Sequence, residues 1–300
     1  MRDYIIFTDA TSDLSQDLID KYNINVVPMH FTVGKDNYRQ FPDFRELDRE
    51  TFYKRMVNGE VSKTTAISPS DYLNEFSPYL EKGMDILYLC FSSGMSSTYS
   101  SSMLATKILK EDYPDCDVVS IDSVSASSGL GLLTILAAKN KIAGMSLKEN
   151  ALWVENNKLR VNHWYSPSDL FYLKRGGRVT TASAVVGTAL RIKPVMNMDT
   201  TGHLTPYCNA RGRKQSLKML VEIMKERIEN PKEQTIFVAL ADCEKDREFI
   251  VKKIDELCPV KEIIHTYVGP IIGAHTGPSQ AEIFYMGKAR SDEDKWNYLK

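Results

Sequence analysis

The sequence has few of the features that mark secreted, membrane-spanning or metal-binding proteins. Its 300 residues include only five cysteines, which lie far apart and form no C-x-x-C pair. An odd number of scattered thiols favours reduced cysteines over a disulfide framework. No basic segment leads into an apolar one at the N-terminus, and no run approaches the roughly 18 apolar residues of a membrane span. We therefore expect a cytoplasmic protein without stable membrane insertion.

Net charge is also nearly absent, but the charges are unevenly distributed. The formal net charge is −1. Between Lys174 and Lys214, eight basic residues accompany the single acid Asp199, which leaves −8 on the rest of the chain. Such a basic segment predicts a docking surface for an anion or an acidic partner. We expect no nucleic-acid partner, because aromatic residues are not interleaved with these bases and the pI is about 6.5.

Motifs for nucleotides and metals are missing as well. No segment matches the phosphate loop G-x-x-x-x-G-K-[ST]. The stretch Gly129-Leu130-Gly131-Leu132-Leu133-Thr134 begins like a dinucleotide fingerprint, but Thr134 stands where the third glycine belongs, so we interpret it as a closely packed helix. The five histidines show no metal-ligand spacing. We expect neither a metal nor a cofactor.

Short apolar segments alternate with amphipathic ones along the chain. They predict strands at 4–7, 25–33, 85–90, 117–121, 193–198, 235–240 and 263–267, with a short strand near His163. Helices are predicted at 15–22, 48–57, 70–81, 96–111, 125–143, 146–161 and 182–190, and an amphipathic helix carries Leu217, Leu220, Val221, Met224 and Ile228 on one face. Strand–helix alternation in the first half predicts a parallel α/β sheet. We expect two domains, 1–162 and 163–300.

A serine-rich turn is the most unusual local feature. Residues 92–102 contain seven serines and one threonine but no charged side chain. The segment follows a predicted strand, and Ser96 is the predicted N-cap of the next helix. A helix N-terminus offers unpaired N–H groups and a positive dipole end to an anion. With no lysine, arginine or metal-binding acid in the turn, a monoanion such as a carboxylate fits better than a polyphosphate.

Two other segments can contribute to the same site. The loop at 63–70 carries hydroxyls on Thr64 and Thr65 and precedes a predicted helix. His275 lies in the glycine- and proline-rich segment 269–278, where it is either a turn histidine or a hydrogen-bond donor to the anion. A serine hydrolase remains an alternative with Ser96 as nucleophile. The segment 94–98 lacks only the final glycine of G-x-S-x-G, but no histidine is placed beside Ser96 by the sequence.

As an ordered set, the segments resemble the DegV family of bacterial fatty-acid-binding proteins. The matching segments, spread over about residues 4–285, are Thr8–Leu14, Lys63–Pro69, Ser92–Tyr99, Leu173–Val179, Arg211–Lys214 and Gly269–Pro278. The resemblance implies an N-terminal three-layer α/β/α domain with a parallel sheet and a C-terminal two-layer α/β domain with a mixed sheet. It also implies a fatty acid of roughly C14–C18 between the domains, held largely by burial of its chain.

The resemblance assigns roles to individual residues. Thr64 and Ser96 are expected to hold the carboxylate, His275 to lie close to it, and Thr65 and Ser93 to assist. It implies no catalytic residue and no cofactor besides the bound lipid. A fatty acid kinase is the expected protein partner and would convert the carboxylate to an acyl phosphate. The residues expected to face the kinase or its nucleotide are Arg175, Arg178, Arg211 and Arg213. The apolar segments 182–190 and Ile271-Ile272 either line the lipid tunnel or pack in the core, and their apolar composition fits both interpretations equally.

Overall fold

The computed structural model describes residues 2–168, 170–179 and 192–291. The first half contains β1 (Tyr4–Asp9), α1 (Gln16–Tyr22), β2 (Ile24–Val27), β3 (Met29–Val33), β4 (Asp36–Gln40), α2 (Arg49–Val57), β5 (Ser62–Thr64), α3 (Pro69–Leu80), β6 (Asp85–Cys90), α4 (Thr98–Asp112), β7 (Val118–Asp122), α5 (Ser127–Ile142) and α6 (Leu147–Asn157). The second half contains β8 (Val161–Ser166), α7 (Phe171–Arg175), β9 (Ile192–Met198), β10 (Leu204–Arg211), α8 (Arg213–Arg227), β11 (Thr235–Leu240), α9 (Glu244–Leu257), β12 (Glu262–Tyr267), α10 (Pro270–Thr276) and β13 (Ala281–Met286).

A parallel sheet organises the first half and confirms the α/β prediction. Its strand order is β2-β1-β6-β7, and every pairing is parallel. All residues of β1 and β6 are buried, as expected for central strands whose two faces are covered by helices. The loops that leave the carboxyl ends of β1 and β6 therefore lie side by side, and the serine-rich turn is one of them.

The predicted strand at 25–33 is wrong as a single element. It divides at Pro28 into β2, which joins the parallel sheet, and β3, which forms a separate antiparallel sheet in the order β4-β3-β5. Proline has no N–H for a sheet ladder, so the chain leaves one sheet at this residue and enters another. This small sheet is important for the site because Thr64 is the last residue of β5 and pairs with Phe31.

The second half is built on a six-stranded mixed sheet in the order β10-β9-β8-β13-β11-β12, as the resemblance implies. Only β11 and β12 run parallel to each other. β8 is the first strand of this sheet along the chain, so the expected domain division after residue 162 falls within it. Met198, Phe237 and Phe284 of the second half share one hydrophobic core with residues of the first half, and the division into two domains remains a prediction.

The two halves approach closely at α5. A Cβ atom on Gly129 would lie 2.2 Å from Nε2 of His163, so only glycine allows this helix to pack against β8. Close packing therefore explains the glycine–leucine stretch, as predicted. Among residues 2–168, 170–179 and 192–291, no helix is long and apolar enough to cross a membrane, and no three candidate ligands are grouped for a metal ion.

Several boundaries differ from the predictions. α4 begins at Thr98 with Ser97 as its N-cap, so Ser96 is not the cap residue. α6 ends at Asn157 rather than at 161, because the chain turns there into β8. The segment 270–276 is the short helix α10 rather than a loop. β4, β5, β10, β13 and α9 were not predicted, and the helix predicted at 182–190 lies outside the described residues.

Candidate functional site

An internal cavity opens beside the serine-rich turn and extends between the two halves. The cavity volume is about 130 Å³. Its apolar wall contains Met29, Phe91, Leu173, Met198, Ile271, Ile272 and Phe284. Ser97 lines the cavity and is exposed, whereas Tyr165, Gln280 and Glu282 line it and are buried. The cavity therefore has an opening at the serine turn and a deep end against the six-stranded sheet.

Two of the predicted residues are in direct contact at the opening. Oγ1 of Thr64 lies 2.8 Å from Nε2 of His275, although the two residues are 211 positions apart in the sequence. Both line the cavity. β5 supplies the threonine and α10 the histidine, so the pair joins the small antiparallel sheet to the second half of the chain.

The electrostatics of His275 determine how this pair can donate hydrogen bonds. Burial, followed by the nearby charges of Arg178 and Arg175, lowers the pKa of His275 to about 4. The ring is thus neutral at neutral pH. Its Nδ1 atom is shielded from solvent and has no partner among the described residues, and Gly176 packs against it. We assign the hydrogen to Nε2, where it donates to Thr64 and leaves the threonine O–H free to donate to a ligand.

The serine turn places a third hydroxyl on the same cavity. Ser96 is half-buried, and its Oγ accepts a hydrogen bond from the backbone N–H of Thr98 at 3.2 Å. The same oxygen lies 2.8 Å from Oγ1 of Thr98. These contacts hold Ser96 at the start of α4, beside the positive end of the helix dipole. Ser96, Thr64 and His275 therefore line the same cavity.

Arg178 adds a positive charge that the turn itself lacks. It lines the cavity, and its Nε donates to the carbonyl oxygen of Met95 at 3.3 Å, in the residue next to Ser96. Burial lowers the pKa of Arg178, but an arginine remains charged at neutral pH. Arg178 was predicted only as part of a docking surface. Its place in the cavity wall has no local sequence signal, because 83 positions separate it from Met95.

The structure does not bring Thr65 and Ser93 into the cavity. Thr65 is exposed, and its N–H donates to the carbonyl oxygen of His30. Ser93 is exposed, and its hydroxyl donates to Oδ2 of Asp122 at 2.5 Å. Both residues therefore support the loops that carry Thr64 and Ser96 without lining the cavity themselves.

The remaining basic residues occupy different environments. Arg175 is exposed and lies over the ring of Tyr172, and Arg211 is exposed at the end of β10. Arg213, in contrast, pairs with Asp246 at 2.7 Å and donates to the carbonyl oxygens of Ser166 and Ser279. The acid that offsets Arg213 at the start of α8 thus comes from α9 of the same chain. Arg175 and Arg211 remain available to a partner.

A buried polar network occupies the deep end of the cavity. Oγ of Ser127 lies 2.9 Å from Oδ2 of Asp13 and 2.6 Å from Oε2 of Glu282. The serine has one hydrogen, so it donates to only one carboxyl, and the other carboxyl must carry a proton. Burial raises the pKa of Asp13 well above its ordinary range and that of Glu282 to about 7. The network is thus a proton-sharing pair of acids next to the cavity.

Two polar atoms at the deep end have no partner among the described residues. The hydroxyl of Tyr165 and Oε1 of Gln280 are both buried, and both residues line the cavity. Neither residue was predicted as part of the site. Gln280 directly precedes β13 and lies two positions from Glu282, a spacing that in an extended chain puts both side chains on one face, but β13 itself was not predicted.

Comparison with known sequences gives consistent matches over nearly the whole chain. The sequence profile of the DegV family, described as uncharacterised proteins, matches residues 4–288. A DegV domain-containing protein of Clostridium perfringens is 38% identical over 290 residues, which cover 97% of this chain and 99% of that protein.

Solved structures share the same fold. A fatty-acid-binding DegV family protein of Thermus thermophilus has a TM-score of 0.85 and 27% identity, covering 96% of this chain and 100% of its own. A stearic-acid-binding protein of Eubacterium ventriosum has a TM-score of 0.83 and 25% identity, covering 95% and 98%. The profile match and the close relative in Clostridium show that this chain belongs to the DegV family.

Proposed function

We propose that this protein binds a long-chain fatty acid without chemically changing it, with the carboxylate beside Ser96 and the acyl chain in the apolar cavity. The observation that carries the proposal is the convergence of Thr64, Ser96 and His275, from three separate segments, on one end of an apolar cavity. Two hydroxyl donors and the nearby Arg178 suit a single carboxylate. The fatty acids bound by two solved relatives support the same ligand class.

The apolar wall supplies most of the affinity. Each buried methylene contributes about 0.8 kcal/mol, so a C16 chain gains roughly 10 kcal/mol before the costs of ordering and association are subtracted. The hydrogen bonds at the opening contribute less, but they fix which end of the lipid faces the surface.

No contact in the described part of the chain favours the serine-hydrolase alternative. Ser96 bonds to Thr98 rather than to a histidine. His275 contacts Thr64, and no described carboxylate orients its Nδ1 atom. Among the described residues, no hydrogen bonds link Ser96 to a histidine and that histidine to a carboxylate, the arrangement that activates a serine nucleophile.

Extraction of the purified protein tests the binding proposal. Denaturation followed by mass spectrometry should release free fatty acid in a near-stoichiometric amount, and delipidated protein should rebind a fluorescent long-chain acid. Absence of lipid together with absence of binding on titration would contradict the proposal. Labelling of Ser96 by a fluorophosphonate would instead favour the hydrolase.

We further propose that the bound carboxylate is presented to a fatty acid kinase, which phosphorylates it to an acyl phosphate in the cytoplasm. The half-exposed opening beside Ser96 leaves the carboxylate reachable, and Arg175 and Arg211 offer exposed positive charge. All five cysteines are unpaired, which fits a reducing compartment. With added kinase, Arg175→Glu and Arg211→Glu should lower acyl-phosphate formation while lipid content stays constant. Unchanged rates in both variants would remove these residues from the docking surface.

A further inference from the structure

The deep end of the cavity contains polar atoms that a simple alkyl chain cannot satisfy. The Tyr165 hydroxyl is a donor and Oε1 of Gln280 an acceptor, and neither has a hydrogen-bond partner among the described residues. The exposed fraction is 4% for Tyr165 and 0% for Gln280, so surface water does not pair with them. The folded protein already bears the cost of leaving these two atoms unpaired, so methylene groups would leave that cost in place, whereas a ligand group that pairs with both atoms would relieve it and bind more tightly.

The local geometry keeps these two atoms on the cavity side of the sheet. Tyr165 in β8 is the direct neighbour of Glu282 in β13. Nε2 of Gln280 donates to Oε1 of Glu282 at 3.0 Å, which turns the amide oxygen of Gln280 away from the acid. Glu282 is held in turn by Ser127. The orientation of the glutamine amide is therefore fixed by a buried network rather than by solvent.

We propose that the deep end is a subsite for a hydroxyl group on the acyl chain, so that the preferred ligand class is a hydroxy fatty acid. A hydroxyl is both a donor and an acceptor, and it would accept from the Tyr165 O–H while donating to Oε1 of Gln280. A keto group satisfies only the tyrosine. A carboxylate at this end is disfavoured by Asp13 and Glu282, which already share a proton beside the cavity.

The chain connection limits where the hydroxyl lies. Gln280 follows His275 by five residues, so their Cα atoms are at most about 18 Å apart even in an extended chain. The subsite is therefore within reach of a C18 chain whose carboxylate lies at the opening.

Competition titrations on delipidated full-length protein test the subsite, which rests on the proposed fatty-acid binding. The ligands are octadecanoic acid and its 2-, 7-, 10- and 12-hydroxy derivatives, with 10-oxo-octadecanoic acid as the acceptor-only analogue. We expect one of the 7-, 10- or 12-hydroxy acids to bind at least about tenfold more tightly than octadecanoic acid. Tyr165→Phe should reduce that ratio to less than about twofold, whereas Tyr79→Phe, whose hydroxyl bonds to Asn25 outside the cavity, should retain it.

Three outcomes would overturn the subsite. Equal affinities for octadecanoic acid and every hydroxy acid mean that water or nothing occupies the deep end. An equal gain at every hydroxyl position, or a ratio unaffected by Tyr165→Phe, means that the preference arises elsewhere. If none of the acids binds, the proposed fatty-acid function fails and the subsite fails with it, a result distinct from tight binding without discrimination.

Discussion

At the opening of the cavity, the polar side chains are half-buried and come from segments far apart in the sequence, whereas at the deep end they are buried and mostly bonded to one another. The hydroxyl of Thr64 accepts from His275 and that of Ser96 accepts from the N–H of Thr98, so each can still donate its own hydrogen to a ligand. Asp13, Ser127 and Glu282 form a closed network. The first arrangement suits a group that must be reached from outside. The second suits recognition of a group inside the cavity, because its side chains are buried and held in fixed orientations.

Removing the hydroxyls at the opening should have the largest effect on binding. In the double variant Thr64→Val with Ser96→Ala, the carboxylate loses two hydrogen bonds, each contributing about 1.5–3 kcal/mol to a charged group, so the affinity should fall by about a hundredfold or more. Titration with a fluorescent fatty acid measures the change. Ser93→Ala is the matched control and should bind like the parent, because Ser93 bonds to Asp122 instead. A loss below about threefold would mean that the carboxylate lies elsewhere.

The buried acids at the deep end should make the stability of the folded protein depend on pH. Glu282 has its pKa raised to about 7 in the folded protein, so the folded state binds more protons than the unfolded chain does. Its contribution to stability is therefore present at low pH, is lost as pH rises toward 7, and amounts to about 3 kcal/mol. Urea unfolding at about pH 5 and about pH 8 measures it.

Glu282→Gln should reduce this pH dependence, since the amide does not titrate, and the part that remains is due to the raised pKa of Asp13. Glu248→Gln changes an exposed acid and should leave the slope as in the parent protein. If Glu282→Gln and the parent lose stability in parallel as pH rises, Glu282 is not the source of the pH dependence.

Substitution of Arg178 compares the effect on affinity of a positive charge at the opening with that of a positive charge on the outer surface. Arg178→Met removes the positive charge beside the serine turn and should weaken fatty-acid binding about tenfold, because charge-assisted contacts are lost. Arg211→Met removes an equal charge outside the cavity and should not change affinity. Titrations of both variants at low and high salt compare them. Equal weakening would assign the effect to general electrostatics rather than to the head group.

The smallest expected effect is spectroscopic. His275 has its pKa lowered to about 4 by burial and by Arg178 and Arg175. A bound carboxylate opposes these causes, so fatty acid should raise the pKa of His275 and shift its ring resonances in a pH titration by NMR. The resonance of exposed His203 serves as the reference. If saturating fatty acid leaves the titration of His275 unchanged, the carboxylate does not lie beside this histidine.

Local sequence patterns predicted the elements whose own composition favours the structure that they adopt. β6 and β11 are continuous apolar runs, and their bounds were predicted correctly. β13 was missed because Glu282 interrupts its apolar run, and α10 was expected to be a loop because Gly269, Pro270 and Gly273 favour turns. In both cases tertiary contacts stabilise an element that its own composition does not favour.

The same reasoning explains which site residues could be foreseen. Ser96 follows a predicted strand, Thr64 precedes a predicted helix, and both bear hydroxyls, so their chemistry was visible in the sequence. Arg178, Tyr165 and Gln280 reach the cavity through contacts between distant segments, and nothing adjacent to them in the sequence indicates that position. The resemblance to a known family identified the opening of the cavity but assigned no residue at its deep end.

The long-range contact between Thr64 and His275 has a consequence for synthesis of the protein. Residues 4–122 can build the complete parallel sheet early, but the cavity lacks a wall until α10 and β13 have been added. During translation, the apolar interior is therefore exposed while more than a hundred residues are still to be made. A ligand that needs the whole cavity can therefore bind only after the chain is complete through Met286.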